Sequence, residues 1–214
     1  LNPGYMSLWI IIVFLILMAT GWKPSFAPDM NRRTMTILGI VIAALLPVSL
    51  WWSQTSYDVH FELHVSVSLL LLASLLTYKG DEELSYKGYL VLCTFMIAAI
   101  WGFIRKMYSL DPVFYWIDPA WDAPLLAGVL CGAFTFQAKH QFGMIVWSAV
   151  LGEVLHAALQ PNNYTALIGS LSWWDSFWIA FATARMFSLI VKLARISFSK
   201  LYGLLWYLRG GRSS

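Results

Sequence analysis

Charged side chains are scarce in this sequence. They make up 12% of 214 residues, roughly half the share of an ordinary soluble domain. With 59% hydrophobic residues and a mean hydropathy of +0.67, a soluble fold has too little polar surface to cover the apolar side chains, whereas lipid solvates them. Cysteine is nearly absent as well. Cys93 and Cys131 both lie inside apolar segments, which argues against a disulfide framework or a cysteine-based metal site. No GxxxxGK[ST], GxSxG or HExxH string occurs, so no motif points to a nucleotide, a nucleophilic serine or a zincin-type metal. The net charge of +3 is gathered between apolar blocks and at the C-terminus, a record of membrane topology and not of nucleic-acid binding.

What is present is a series of apolar runs. A hydrocarbon core of about 30 Å takes ~20 residues of helix to cross. Seven stretches qualify: Tyr5–Trp22, Met35–Trp52, Val59–Tyr78, Tyr86–Ile104, Ala120–Ala138, Phe142–Gln160 and Trp173–Leu193. Aromatic residues mark many ends, among them Trp22, Trp51, Trp52, Tyr57, Tyr78, Tyr108 and Trp116, as headgroup-level belts do. Pro47 falls inside the second stretch and predicts a kink. Ser25-Phe26-Ala27 resembles a signal-peptide cleavage site. Its positive charges follow the apolar run, the reverse of a signal peptide, so the first stretch is expected to be a retained span. The longest connection runs from Tyr108 to Pro119, leaving no room for a soluble domain between spans.

Orientation follows from basic residues. With the N-terminus outside, Lys23, Arg32, Arg33, Lys79, Lys87, Lys139, Lys192, Arg195, Lys200, Arg209 and Arg212 face the cytoplasm, and only Arg105 and Lys106 face out. The bias predicts N-out, C-in. Beyond the last span, Phe198, Leu201, Tyr202, Leu205 and Leu208 recur at helical spacing, which predicts an amphipathic helix on the cytoplasmic surface, unless the seventh helix simply runs on. The expectation is an all-α polytopic bundle: a single transmembrane domain over 1–195, then a basic amphipathic segment over 196–214.

Four ionisable residues stand out as a candidate polar pocket in the outer half: His60 and His64 on the third span, Glu153 and His156 on the sixth. On a helix His60 and His64 share one face while Glu62 points away with Asp58 and Ser66. Glu153, His156 and Gln160 form a stripe. Asp122 and Asp175 lie at the outer ends of their spans. Such groups suit a metal site, a proton relay, or mutual hydrogen bonding in a structural role. Arg185, deep in the seventh span, needs a partner. Glu153 on the preceding helix is the expected one, giving a buried ion pair; the alternative is that Arg185 snorkels toward the cytoplasmic headgroups. Gly128 and Gly132 form a GxxxG suited to close packing inside the bundle or to a dimer. Asn163-Tyr164-Thr165 is formally a glycosylation sequon, set in a short loop.

In Asn2-Pro3-Gly4-Tyr5, in Leu15-Ile16-Leu17-Met18-Ala19-Thr20-Gly21-Trp22, and in size and span count, the chain resembles the YphA-type membrane proteins of spore-forming Bacillus relatives. The resemblance implies a multi-pass protein of the bacterial cell membrane with a sporulation or envelope role, and it assigns no active-site residues. Three function classes remain. First is a non-enzymatic envelope or membrane-complex component; next, a small proton-coupled transporter using Glu153, His156 and His64; last, a metal-dependent intramembrane hydrolase. No catalytic residue and no cofactor is expected. The expected partners are the lipid bilayer and another membrane protein, with no nucleic acid or nucleotide.

Overall fold

The computed structural model describes residues 2–56, 59–76, 83–111, 113, 116–160 and 164–210, with the side chains of 25, 55, 56 and 201–210 left aside. Tyr57, Asp58, Tyr78, Lys79, Asn163 and Arg212 therefore lie outside the described residues. The elements run α1 (Tyr5–Ala19), α2 (Lys23–Phe26), α3 (Arg32–Leu45), β1 (Trp51–Ser56), β2 (Val59–His64), α4 (Val65–Leu75), α5 (Leu84–Leu110), α6 (Asp122–Phe134), α7 (Ala138–Leu159), β3 (Thr165–Ile168) and α8 (Leu171–Gly210). The protein is mostly helical. Among the described residues three helices, α5, α7 and the Leu171–Lys200 part of α8, are long and apolar enough to cross a membrane, while α1, α4 and α6 are apolar but shorter.

The expectation of an all-α fold is corrected at the third stretch. Val59 to His64 form a strand instead of the first turns of a helix, paired antiparallel with β1 and parallel with β3 in the order β1-β2-β3. Pro47 ends α3 instead of kinking it: the helix stops at Leu45, since proline has no N–H to continue the ladder. The next residues, Trp51 to Ser56, are free to pair as a strand. In β2 the apolar Val59, Phe61 and Leu63 alternate with His60, Glu62 and His64, the period of a half-buried strand. Val59, Phe61 and Leu63 pack against the core, and in β3 Ala166 and Ile168 are fully buried while Leu167 is exposed. His60 and Glu62 thus lie on the outer face, on the same side as each other.

The bundle is held by two parallel helix pairs. In the first, α5 lies along α7, with Tyr86 against His140 near their starts and Trp101 against Glu153 further along. A Cβ on Gly152 would stand 2.9 Å from the Trp101 side chain, and one on Gly102 would stand 2.8 Å from the Gly152 carbonyl. In the second, α6 lies along α8. A Cβ on Gly128 would meet the Ala180 carbonyl at 2.5 Å, and one on Gly132 would meet Phe187 at 2.9 Å. The GxxxG thus packs within the chain. Around these pairs α1 lies parallel to α8 through Phe14, which contacts Trp178 and Phe181, and α3 is peripheral, with no buried residue.

Helix directions put the sheet at one end of the bundle, with the starts of α1, α4, α6 and α8 and the finishes of α5 and α7. Lys23, Arg32, Arg33, Lys87, Lys139, Lys192, Arg195 and Lys200 belong to the other, basic end. α8 is continuous for 40 residues, from Leu171 to Gly210, a length of ~60 Å. That exceeds the hydrocarbon thickness about twofold, so its last turns project past the basic end as a continuation of the helix.

The Gly128 contact can be checked directly. Gly128→Leu should lower stability by about 1–3 kcal/mol through overpacking against α8, whereas Val129→Leu, at a position 37% exposed, should leave it unchanged. Thermal melting in detergent compares the two; equal behaviour would remove the close α6–α8 approach from the account.

Candidate functional site

Glu153 lies on α7 and is 5% exposed. Its Oε1 accepts from Arg105 Nη1 at 2.8 Å and from Trp101 Nε1 at 3.3 Å, both on α5. One turn along α7, His156 Nε2 lies 3.1 Å from Gln160 Nε2, and Lys106 Nζ donates to Gln160 Oε1 at 3.4 Å. The His156 ring lies 4.8 Å from that of Tyr164 and tilted 60° to it, so Tyr164 closes the cluster from the loop before β3. Burial, then the negative Glu153, raise the Tyr164 phenol above its ordinary pKa, with Arg105 opposing them. The phenol therefore stays un-ionised. His156 Nδ1 is buried without a hydrogen-bond partner among the described residues.

The expected Glu153–Arg185 pair is corrected. Glu153 is six residues from the end of α7 at Leu159, and Arg185 fourteen from the start of α8 at Leu171. At 1.5 Å per residue these are depths of about 9 and 21 Å from the sheet end. Glu153 also faces the parallel α5 and not α8. Arg185 instead reaches toward the basic end, where Nη1 donates to the Phe136 carbonyl at 3.2 Å and to Gln141 Oε1 at 2.8 Å. Its guanidinium lies 5.5 Å from the centre of the Phe26 ring. Gln141 is fully buried and donates in turn to Ser188 Oγ at 2.7 Å.

The four expected pocket residues take separate partners. His60 lies on the outer face of the sheet. His64 caps α4: Nδ1 accepts from the Ser66 N–H at 3.3 Å and contacts Ser66 Oγ at 2.6 Å, while Nε2 contacts the Val48 carbonyl at 2.8 Å. A carbonyl only accepts, so the ring proton sits on Nε2. Both nitrogens are engaged in joining the α3–β1 connection to α4. Gly169 lies over this junction at φ +104°, and a Cβ there would stand 2.5 Å from that of His64. Glu153 and His156 share the α5–α7 cluster without His64. Among the described residues no group of three His, Cys, Asp or Glu side chains is placed to hold a metal.

The two acids expected at the outer ends of their spans, Asp175 and Asp122, serve as caps. Asp175 of α8 accepts from Gly4 N, Ser7 N and Ser7 Oγ, each at 2.7 Å, supplying the first turn of α1 with the acceptor its own sequence lacks. Asp122 accepts from Trp116 N at 2.6 Å, Ile117 N at 3.1 Å and the Tyr108 hydroxyl at 3.0 Å, tying down the α5–α6 connection. Arg105, Trp101, Tyr164 and Gln141 were not singled out from sequence. Arg105 had a legible signal, as one of two basic residues at the end otherwise poor in them.

A helical bundle with long apolar helices and broad exposed apolar faces has the form of an integral membrane protein. The family model described as YphA-like integral membrane protein matches residues 4–202, and the chain belongs to that family. No curated protein and no solved structure matches it.

The ion pair predicts an asymmetric response. Arg105 is 26% exposed at its side chain and Glu153 only 7%. Arg105→Met strands a carboxylate away from water and should cost about 3 kcal/mol or more. Glu153→Gln leaves a guanidinium that can hydrate and should cost less. Melting of the two variants in detergent decides; a larger loss for Glu153→Gln would contradict the pairing.

Proposed function

We propose that this protein is a non-enzymatic, multi-pass component of a bacterial cell membrane, an envelope or membrane-complex protein that presents its sheet-capped end outside. The observation that carries the reading is where its polar chemistry goes. Asp122, Asp175, His64 and the Glu153–Arg105 pair each satisfy a helix end, a loop or a helix contact within the chain. Groups so bonded are devices of packing; a catalytic group needs an open face toward substrate.

The full topology in this proposal is seven crossings, N-terminus outside and C-terminus inside. The alternating directions of α1, α3, α4, α5, α6, α7 and α8 support the count, and the gathering of basic residues at one end supports the orientation. The short α4 gains reach from β2, whose six residues add about 20 Å. An open sheet edge is not tolerated in hydrocarbon. The edge strand β1, with Trp52 67% exposed, therefore favours water or headgroups.

A second reading, a proton-coupled transporter, is favoured by one observation: the unpartnered Nδ1 of His156 one helical turn from Glu153. Proteoliposomes carrying an imposed pH gradient separate the two. The structural reading expects the gradient to decay as in empty vesicles. Faster decay abolished by Glu153→Gln would replace it with the transporter.

Topology is checked by single added cysteines at Asn31 and Gln54, both exposed, with the buried Cys93 and Cys131 silent. An impermeant maleimide should label position 54 in intact cells and position 31 only after permeabilisation. Labelling of both from outside overturns the seven-crossing arrangement.

A further inference from the structure

We propose that a cleft at the basic end, along α8 and the α6–α7 turn, binds the phosphate headgroup of an anionic membrane lipid. The cleft has a volume of about 410 Å³ and is lined by Arg185, Ser188, Lys192 and Arg195 with the apolar Phe136 and Leu189. On α8 the polar positions follow at spacings of three, four and three, which sets them on one helix face. They form a ladder from the buried Arg185, 3% exposed, to the exposed Lys192 and Arg195.

Two further features point to a ligand. Arg185 directs Nη1 to Phe136 and Gln141, yet its buried Nε has no hydrogen-bond partner among the described residues. A guanidinium with a free donor at the head of a basic cleft suits a phosphate oxygen, which accepts in the geometry the fork provides. The apolar wall then favours a lipid over free phosphate, because an acyl chain covers it and an inorganic ion does not. Phe136, 45% exposed and with its ring centre 5.1 Å from the Arg195 guanidinium carbon, joins the two halves of that surface. Asp29 is the nearby opposing charge, and its carboxylate accepts from the Lys139 N–H at 3.4 Å. Three cations against one carboxylate leave the cleft positive. Basic clefts between membrane helices hold anionic headgroups by this chemistry.

The test uses the full chain, delipidated in detergent, and so does not depend on the number or direction of membrane crossings. Native mass spectrometry follows binding of phosphatidylglycerol, of phosphatidylcholine with the same acyl chains, and competition by inorganic phosphate. The first phosphatidylglycerol should bind more tightly than phosphatidylcholine. The double variant Lys192→Gln/Arg195→Gln should weaken it roughly 30-fold, the effect of removing two near-surface charges. Both positions are exposed, and unchanged melting without lipid confirms that the variant folds. A reference pair at the same end, Arg32→Gln/Arg33→Gln, should leave binding unchanged. In the wild type a photoreactive phosphatidylglycerol should label the peptide from Arg185 to Ile196. Equal binding of the two lipids, equal losses in both double variants, or labelling elsewhere would overturn the site. Displacement of phosphatidylglycerol by phosphate at equal concentration would make it a soluble-anion site and overturn the lipid assignment.

Discussion

Close approach of helix backbones is the constraint on which the rest of this structure depends. Between helices in lipid there is no hydrophobic gain, because acyl chains are as apolar as leucine; association rests on dispersion and on geometry. Gly152 lets the Trp101 side chain close onto α7, and Gly128 lets α6 settle onto the Ala180 carbonyl. These contacts create the two parallel pairs, α5 with α7 and α6 with α8. The pairs then decide which polar side chains meet. Because α7 presents Glu153 to α5, the partner is Arg105, and because α8 passes the start of α7, Arg185 finds Gln141.

Polar groups complete what the glycines begin. A helix end in a low-dielectric setting has donors or acceptors that water does not reach. Asp175 answers this for α1 from a helix at the far end of the sequence. His64 answers it for α4, and Asp122 for the turn ahead of α6. Each contact joins an element to one distant from it or to a connection, so the same side chains that satisfy the backbone also lock the arrangement. The small sheet extends the logic at its own end of the bundle: β3, carried on the α7–α8 connection, pairs with β2, carried on the α3–α4 connection.

The two ends of the bundle differ in what they offer. At the sheet end Glu153 pairs with Arg105, and Asp122 and Asp175 turn to backbone N–H groups. At the basic end Lys192 and Arg195 continue the face of α8 below Arg185. There three cations face one carboxylate, Asp29, beside an apolar wall. That combination separates a surface built for intrachain packing from one open to an anionic amphiphile.

Composition alone carried the membrane class, since 59% hydrophobic and 12% charged residues admit few other solvents. The run lengths located the helices around α1, α3, α5, α6, α7 and α8, because hydrophobic thickness acts on every span locally. The strand in the third stretch was also legible, in the alternation from Val59 to His64, but helical length hid it: the apolar run that follows dominates any window of twenty residues. Glu153 and His156 were visible as buried polar residues on one helix; their partners were not. Partner choice depends on which helices lie side by side and at what depth, and parallel next-but-one pairing set by four glycines is written in no local spacing. The ladder from Arg185 to Arg195 was present as a stripe, yet only the fold brought Phe136 across from another connection to make it a cleft.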